Sequence, residues 1–576
     1  MNPKGTFLDV MRNAAATAGD ARGFRFYASP SDSVFASYEA LDRQARADAA
    51  ALVASGHAAG DVAVLAFDPG LGFIRALYAV FYAGLVAAPV PVAAIRQPDA
   101  ALRRLASIVA DSGSRIVLTE GGALLPLCVA PDDSVGEARV VSIDSLVGRI
   151  EEWVPPASDA GSLALLQYTS GSTGTPKGVM VSHGNLVANE AAITSALGLS
   201  AASRLVGWLP HYHDMGLVGQ LLQPIFFAGD CVFTSPNQFL RRPLLWLKLI
   251  TQHRATHTVG PDFAYALCTR LVTDEQLAGL DLSSLEGAIT GAEPVRVETL
   301  RAFAERFARA GFQADAFIPA YGMAETTLLV TAKAAGRVVA TIQADAAGIE
   351  QGVLRAPVDG GRAVDLVSCG PAADGHRIEI VDPVSGERLV DGEIGEILVS
   401  GPSVAQGYWR RPDATAAVFG VTIPGDGDDH RYLRTGDLGT SVAGELLITG
   451  RLKDLIIIRG RNIYPQDLEQ TASTLLHAGC LSAAFEGSAS QPAVGLVAEI
   501  DAARLAAGEI DALAERVRRA VTEEYLLPEL GVALIRKGSL PRTTSGKVQR
   551  NLTRSLLAEE RLPTLLMLGF DRGAVT

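Results

Sequence analysis

Between residues 62 and 290 the chain alternates short, uniformly apolar runs with longer stretches of helical spacing, and this leaves few folds open. VAVLAF (62–67), RIVLT (115–119), LALLQ (163–167), CVFT (231–234), THTVG (256–260) and LEGAIT (285–290) are brief and apolar. Each reads as a strand buried on both faces. Segments 37–55, 73–88, 183–195, 241–253 and 295–310 carry helix formers at helical period. Alternation of this kind builds an α/β fold, parallel sheet covered by helices on both faces. The first 330 residues therefore predict one or two such layers packed together.

After Pro371 the texture changes. RIEIV (377–381) and IGEILVS (394–400) are short strands with DPVSG and DGEIG as turns, so 371–450 predicts a small antiparallel sheet or barrel-like subdomain. PGDGDDH (424–430) reads as a solvent loop. ELLITG (445–450) and LIIIRG (455–460) flank GRLKD, which places a domain boundary between 1–453 and 454–576. The second unit shows helix 466–478, strand 495–500, helix 509–525 and strand 531–535, a small α+β domain whose last loop carries Lys547.

Composition removes several function classes. The 576 residues carry a formal charge of -13, a poor match for nucleic acid. ATP stays open, because single cations in glycine loops bind phosphate locally. Hydrophobic residues make up 48% and charged ones 20%, which argues for a large core and against disorder. Cys128, Cys231, Cys268, Cys369 and Cys480 are scattered with no CxxC pair, as in a reducing compartment without structural zinc. The N-terminus lacks the apolar core of a signal peptide, so a cytoplasmic protein is expected. Residues 76–95 are uncharged and long enough to span a bilayer, but Pro89 and Pro91 interrupt them. A buried helix followed by an extended segment is expected there, with no integral membrane segment.

Seven lysines stand against forty-three arginines, and Lys177 and Lys547 both lie in loops of Gly, Ser and Thr. A lysine is a compact charge that follows moving oxygens. YTSGSTGTPKG (168–178) sits between strand LALLQ and a helix beginning near Ser182. Gly171, Gly174 and Gly178 let backbone approach a ligand. Ser170, Ser172, Thr173 and Thr175 add hydroxyls and Lys177 adds charge; together, with Thr169 beside them, they can cradle the β- and γ-phosphates of a nucleotide. It is not a Walker A loop, because Gly178 follows the lysine.

LPHYHDMGL (209–217) admits three readings: a metal site of His211, His213 and Asp214, a substrate contact, or a structural cluster. TGAEP (290–294) and PAYGMAETT (319–327) follow apolar strands, where open α/β sheets bind ligands. Tyr321 can stack on a purine, with Gly322 and Met323 beside it. Glu325 can hold Mg2+, and Thr326 a phosphate oxygen. In TGDLG, Asp437 can accept ribose hydroxyls, and Arg451 can reach the same sugar or a phosphate. LPRTTSGKVQR (540–550) is either a solvated basic loop or a device that brings the Lys547 ammonium to charge building on a leaving pyrophosphate.

With these residues in view, the chain resembles the adenylate-forming superfamily of acyl-CoA synthetases, luciferases and peptide-synthetase adenylation domains. YTSGSTGTPKG, LPHYHDMGL, TGAEP, YGMAETT, YLRTGDLG, GRLKDLIIIRGRNIYP and LPRTTSGK occur in that order over about 380 residues. The resemblance implies a loop at Lys177 closing over pyrophosphate and His213 beside the bound carboxylate. It implies an adenine and acyl-adenylate surround of Gly291, Ala292, Glu293 and Tyr321, Mg2+ at Glu325, and ribose contacts at Asp437 and Arg451. Lys547 would bridge carboxylate and α-phosphate. Lys453 would be the hinge of a mobile C-terminal domain.

Within the superfamily, YHDMGLVGQLLQPIFFAG, SPNQFLRRPLLWL, GPDFAYALCTR and RGRNIYPQDLE resemble a fatty acyl-AMP ligase. The spacing between YGMAETT and SCGPA, residues 328–367, agrees with that family's extra segment, here 336–366, packed between domains and disfavouring CoA. The resemblance implies a fatty acid and ATP as substrates. Its acceptor is the phosphopantetheine thiol of an acyl carrier protein acting in trans, in polyketide, lipopeptide or lipid assembly. A fatty acyl-CoA synthetase, with the same catalytic residues, is the alternative. An apolar tunnel for the chain is expected near 208–265.

Overall fold

The computed structural model describes residues 5–92, 98–121, 124, 129, 133–169, 176–425, 430–477, 479–487, 492–506, 508–543 and 546–570. Among these, two large sheets form the first part of the chain. In one, the order is Ser134–Val135, Ala138–Ser142, Ile116–Thr119, Val62–Ala66, Val86–Val90, Leu163–Thr169 and Lys177–Ser182. In the other it is Leu329–Ala332, Phe317–Gly322, Gly287–Thr290, His257–Val259, Arg204–Gly207, Asp230–Thr234, Gly23–Ser29 and Asp32–Ser37. Both are parallel inside and antiparallel at their edges.

The strand Val62–Ala66 shows why such runs are continuously apolar. Ala63 and Leu65 enter the main core shared with the second sheet, while Val62, Val64 and Ala66 enter a separate cluster with Leu105 and Ile108 of helix Pro98–Ser112. Alternate side chains thus meet different layers, and neither face sees water.

Two boundaries differ from the sequence expectation. The helix placed at 73–88 is Leu71–Tyr82, and the chain then turns through Gly84, at φ +72°, into strand Val86–Val90. Phe73, Ile74, Leu77 and Phe81 are each at most 1% exposed. Burying each stabilises the fold by roughly 1.5–3 kcal/mol. Arg75, the helix's one charge, is partly exposed and pairs with Asp48 and Asp144; from Ala76 to Tyr82 every residue is buried, which explains the bare stretch. No helix among the described residues is long and apolar enough to cross a membrane.

The second difference concerns the glycine loop. Lys177 opens a strand, Lys177–Ser182, that pairs antiparallel with Leu163–Thr169. Ser182 then caps helix His183–Leu197 in a reciprocal pair with Asn185. A second strand, not the helix, therefore follows the glycine-rich segment. Met180 N–H and Trp409 N–H donate to Gly407 and Gly178 carbonyls, so segment 406–409 runs along the outer edge of this strand.

Arg377–Val381, Gly395–Ser400, Leu433–Val442 and Glu445–Arg451 form a four-stranded antiparallel sheet over Val330, Ile397, Val399 and Leu446. Beyond Arg451 a second mixed sheet comprises Ser482–Glu486, Val494–Ile500, Leu530–Arg536 and Thr564–Leu568. Its faces are covered by different clusters, one with helices Pro465–Ser473 and Glu509–Tyr525, the other with Leu557 of helix Arg550–Ala558.

Within 336–366, Thr341–Asp345 pairs antiparallel with Ala363–Val367, with helix Ala346–Glu350 between. Ala344 and Ile349 share one buried cluster with Leu438 and Tyr464. Val338 and Val358, in the apolar stretches of the sequence, are exposed instead. Buried Glu350 receives Arg362 and Arg461, each at 2.6 Å. The Arg362 guanidinium lies over the Tyr525 ring at 4.3 Å.

Candidate active site

A cavity of about 1640 Å³ opens where the parallel strands of the second large sheet end, between the four-stranded sheet and the residues beyond Arg451. Thr169, Lys177, His213, Gly291, Ala292, Glu293, Tyr321, Gly322, Met323, Glu325, Asp437, Arg451, Lys453 and Lys547 all line it. Ser170, Gly171, Ser172, Thr173 and Gly174 lie outside the described residues.

His213 caps the short helix Asp214–Gly216, and its Nδ1 lies 2.6 Å from Asp214 Oδ1. The Met215 N–H donates to the same oxygen at 2.7 Å. Burial pushes Asp214 up, but His213 and Lys547 outweigh it and hold the carboxyl below its usual range. His211 is different. It is buried with its ring 4.2 Å from that of Phe73, and burial pushes it down to about 3. Among the described residues no group of three or more His, Cys, Asp or Glu is placed to hold a metal, so the histidine motif divides into one packing ring and one cavity ring.

Gly291 is dictated by space: a Cβ there would stand 2.5 Å from the Ala320 carbonyl oxygen. Ala292 then takes a left-handed φ of 64°, and Glu293 turns back to accept the Phe263 N–H at 2.7 Å. Burial, with Asp262 nearby, pushes Glu293 up to about 7. Tyr321 Oη donates to Asp437 Oδ2 at 2.8 Å, and Arg451 Nε donates to Asp437 Oδ1 at 2.9 Å. Each carboxylate oxygen keeps a further lone pair for a ligand hydroxyl.

One expected contact is replaced. Thr326 is fully buried and does not line the cavity; its hydroxyl donates to the Met323 carbonyl at 2.9 Å, so it holds its own turn and not a phosphate oxygen. One residue passed unnoticed in the sequence. Tyr408 Oη donates to Glu325 Oε1 at 2.8 Å, and Lys177 Nζ stands 4.9 Å from the centre of the same ring. A tyrosine in GYWRRP gives no local sign of this role; the strand-like pairing of 406–409 beside Lys177–Ser182 puts it there.

Lys547 comes from the far end of the chain. The Thr543 N–H donates to the Lys547 carbonyl, and the Lys547 N–H returns a bond to Thr543 Oγ1, which makes a tight tip. The side chain keeps surface open to the cavity, but protein surrounds it. Burial and then Arg451 lower its pKa, against the opposing pull of Asp214, Glu293 and Asp437. Behind it, Arg550 grips Glu469 and Asp454, each at 2.7 Å, next to Lys453.

The cavity exceeds the roughly 300–1,000 Å³ of an ordinary small-ligand pocket, so it has room for two ligands at once. A family model described as AMP-binding enzyme matches residues 11–409. The chain belongs to the AMP-binding enzyme family. It is 38% identical over 571 residues to the medium-chain-fatty-acid–[acyl-carrier-protein] ligase JamA of Moorena producens, covering 97% of this chain and 96% of that one. A solved structure from a study of fatty acyl-adenylate ligases of E. coli and L. pneumophila superposes with a TM-score of 0.87 at 33% identity, covering 96% and 98%. An L. pneumophila fatty acyl-adenylate ligase in complex with acyl adenylate and pyrophosphate superposes at 0.76 with 34% identity, covering 98% of each chain. AMP-binding enzymes of this kind use ATP.

Proposed function

We propose that this AMP-binding enzyme joins a fatty acid to AMP and then passes the acyl group to the phosphopantetheine thiol of an acyl carrier protein. The observation that carries the reading is the Lys547 ammonium at the junction of the Asp437–Arg451–Tyr321 group and the His213–Asp214 pair. In the first step a carboxylate oxygen attacks the α-phosphorus of ATP, the bond to the β-phosphate oxygen breaks, and pyrophosphate leaves. No proton moves. The transition state gains charge on oxygen, which a preorganised ammonium stabilises. In the second step the thiolate sulfur attacks the acyl carbonyl, the anhydride C–O bond breaks, and AMP leaves.

In this reading Lys177 and Thr169 face the pyrophosphate, and His213 faces the carboxylate. Gly291, Ala292, Glu293, Tyr321, Gly322 and Met323 surround adenine and acyl-adenylate; Asp437 and Arg451 hold the ribose. Glu325 offers a hard oxygen fixed by Tyr408. That suits Mg2+, which takes one or two carboxylates and completes its shell with phosphate and water. Bound there, Mg2+ neutralises phosphate charge. Residues 1–453 and 454–576 act as two bodies hinged at Lys453, and Cys231, Cys268, Cys369 and Cys480, all free, fit a cytoplasmic setting.

The test is fatty-acid-dependent exchange of labelled pyrophosphate into ATP. Wild-type protein exchanges with acids from octanoic to palmitic. Lys547→Ala loses about a hundredfold or more in rate while ATP binding is largely retained. No exchange with any acid, or equal loss of ATP binding in the variant, would contradict the reading.

A further inference from the structure

Gly219 has no backbone reason to be glycine. It lies in the π-helix Leu217–Leu222 without a left-handed φ. In a helix interior glycine costs about 1 kcal/mol relative to alanine. The neighbouring Gly216 differs, because a Cβ there would stand 2.1 Å from the Pro210 carbonyl oxygen. At Gly219 an added Cβ meets one thing only, the tip of Leu328, with Cδ2 at 2.9 Å. Both residues line the cavity.

Leu328 cannot yield through its backbone. Its N–H donates to the Thr326 carbonyl at 2.8 Å across Thr327, which is held at φ 68°, ψ −57°, a strained setting for a β-branched residue. Thr327 Oγ1 anchors this turn on the Ser403 carbonyl at 2.7 Å. On the other side, a Cβ at Gly322 would stand 1.7 Å from the Leu328 carbonyl oxygen. Only the Leu328 side chain is free to move, and glycine at 219 is what lets it lie back against the wall.

The same cavity is lined by the apolar side chains of Ile193, Leu197, Leu205 and Val259. Met215, Gly219 and Gln223 follow at intervals of four, share one face of their helices and all line the cavity. Met215 adjoins Asp214 at the reacting end. Gln223 donates to Thr194 Oγ1 at 2.7 Å, on the helix that supplies Ile193 and Leu197 to the cavity wall.

We propose that Gly219 and Leu328 form the gauge that sets the bore of the acyl arm and thereby the chain length accepted. This deepens, and rests on, the fatty-acid reading above. Bulk added at 219 pushes Leu328 into the lumen and cuts off the far half of the arm; bulk removed at 328 reopens it. The experiment is kcat/KM for acid-dependent pyrophosphate exchange across butyric to palmitic acid, in wild type, Gly219→Ala, Gly219→Val, Leu328→Ala and the Gly219→Val/Leu328→Ala double variant. The long-to-short specificity ratio falls in Gly219→Ala and falls further, by about tenfold or more, in Gly219→Val. Leu328→Ala in the Val background restores it. A uniform loss at all chain lengths that Leu328→Ala does not rescue, or a chain-length profile unchanged from wild type, overturns the gauge. Exchange by wild type with no fatty acid at all overturns the underlying reading instead.

Discussion

In the proposed reading Lys547 acts as an ammonium. Burial and Arg451 set its pKa below the ordinary lysine value of 10.5. The charged form is fully present below that shifted pKa and is lost as pH rises through it. The alkaline limb of kcat/KM for ATP, which reports the free enzyme, therefore falls below pH 10.5. The limb disappears from the residual activity of Lys547→Ala, which a pH–rate profile of both proteins checks. At this scale the sequence was most informative where a charge sits in a loop of small residues: Lys177, Glu325, Asp437 and Lys547 all reach one cavity. It was silent on Tyr408, whose place depends on a segment added beside a strand more than two hundred residues earlier. Thr326 shows the opposite error, a hydroxyl in a ligand motif that is consumed by its own turn.

Among the elements, the hairpin of segment 336–366 reaches the residues beyond Lys453 through a carboxylate. Glu350 is 5% exposed and takes Arg362 from its own segment and Arg461 from beyond Lys453. Both arginines are partly exposed, so solvent screens the pairs; we expect Glu350→Ala to loosen this contact by roughly 1–2 kcal/mol. Faster amide exchange across 461–525, measured by mass spectrometry with the rest of the protein unchanged, is the expected sign. Unaltered exchange there contradicts the contact's importance. Most strands buried on both faces were legible as short apolar runs bounded by turn residues; Val86–Val90 was not, because the equally apolar buried helix Leu71–Tyr82 runs into it. Lys177–Ser182, Ser482–Glu486 and Thr564–Leu568 were not, since an edge strand or an alanine-rich one leaves a weaker pattern. The clasp at Glu350 was also invisible, because an ion pair between residues 350 and 461 leaves no local spacing to read.

For the whole molecule, one cavity draws on every layer of the fold, and its last wall is carried by the residues after Lys453. With Lys547 inside, the arrangement suits the proposed adenylation; in the proposed two-body reading, residues 454–576 move away for thioester formation. In that reading the Glu350 contact would oppose the movement. The most direct test is to form acyl-AMP from ATP, Mg2+ and a fatty acid, divide the reaction between CoA and a phosphopantetheinylated acyl carrier protein, and follow both thioesters by mass spectrometry. We predict that acyl-AMP persists in the presence of CoA and is consumed by the carrier. Efficient acyl-CoA formation would contradict this and make the protein an acyl-CoA synthetase.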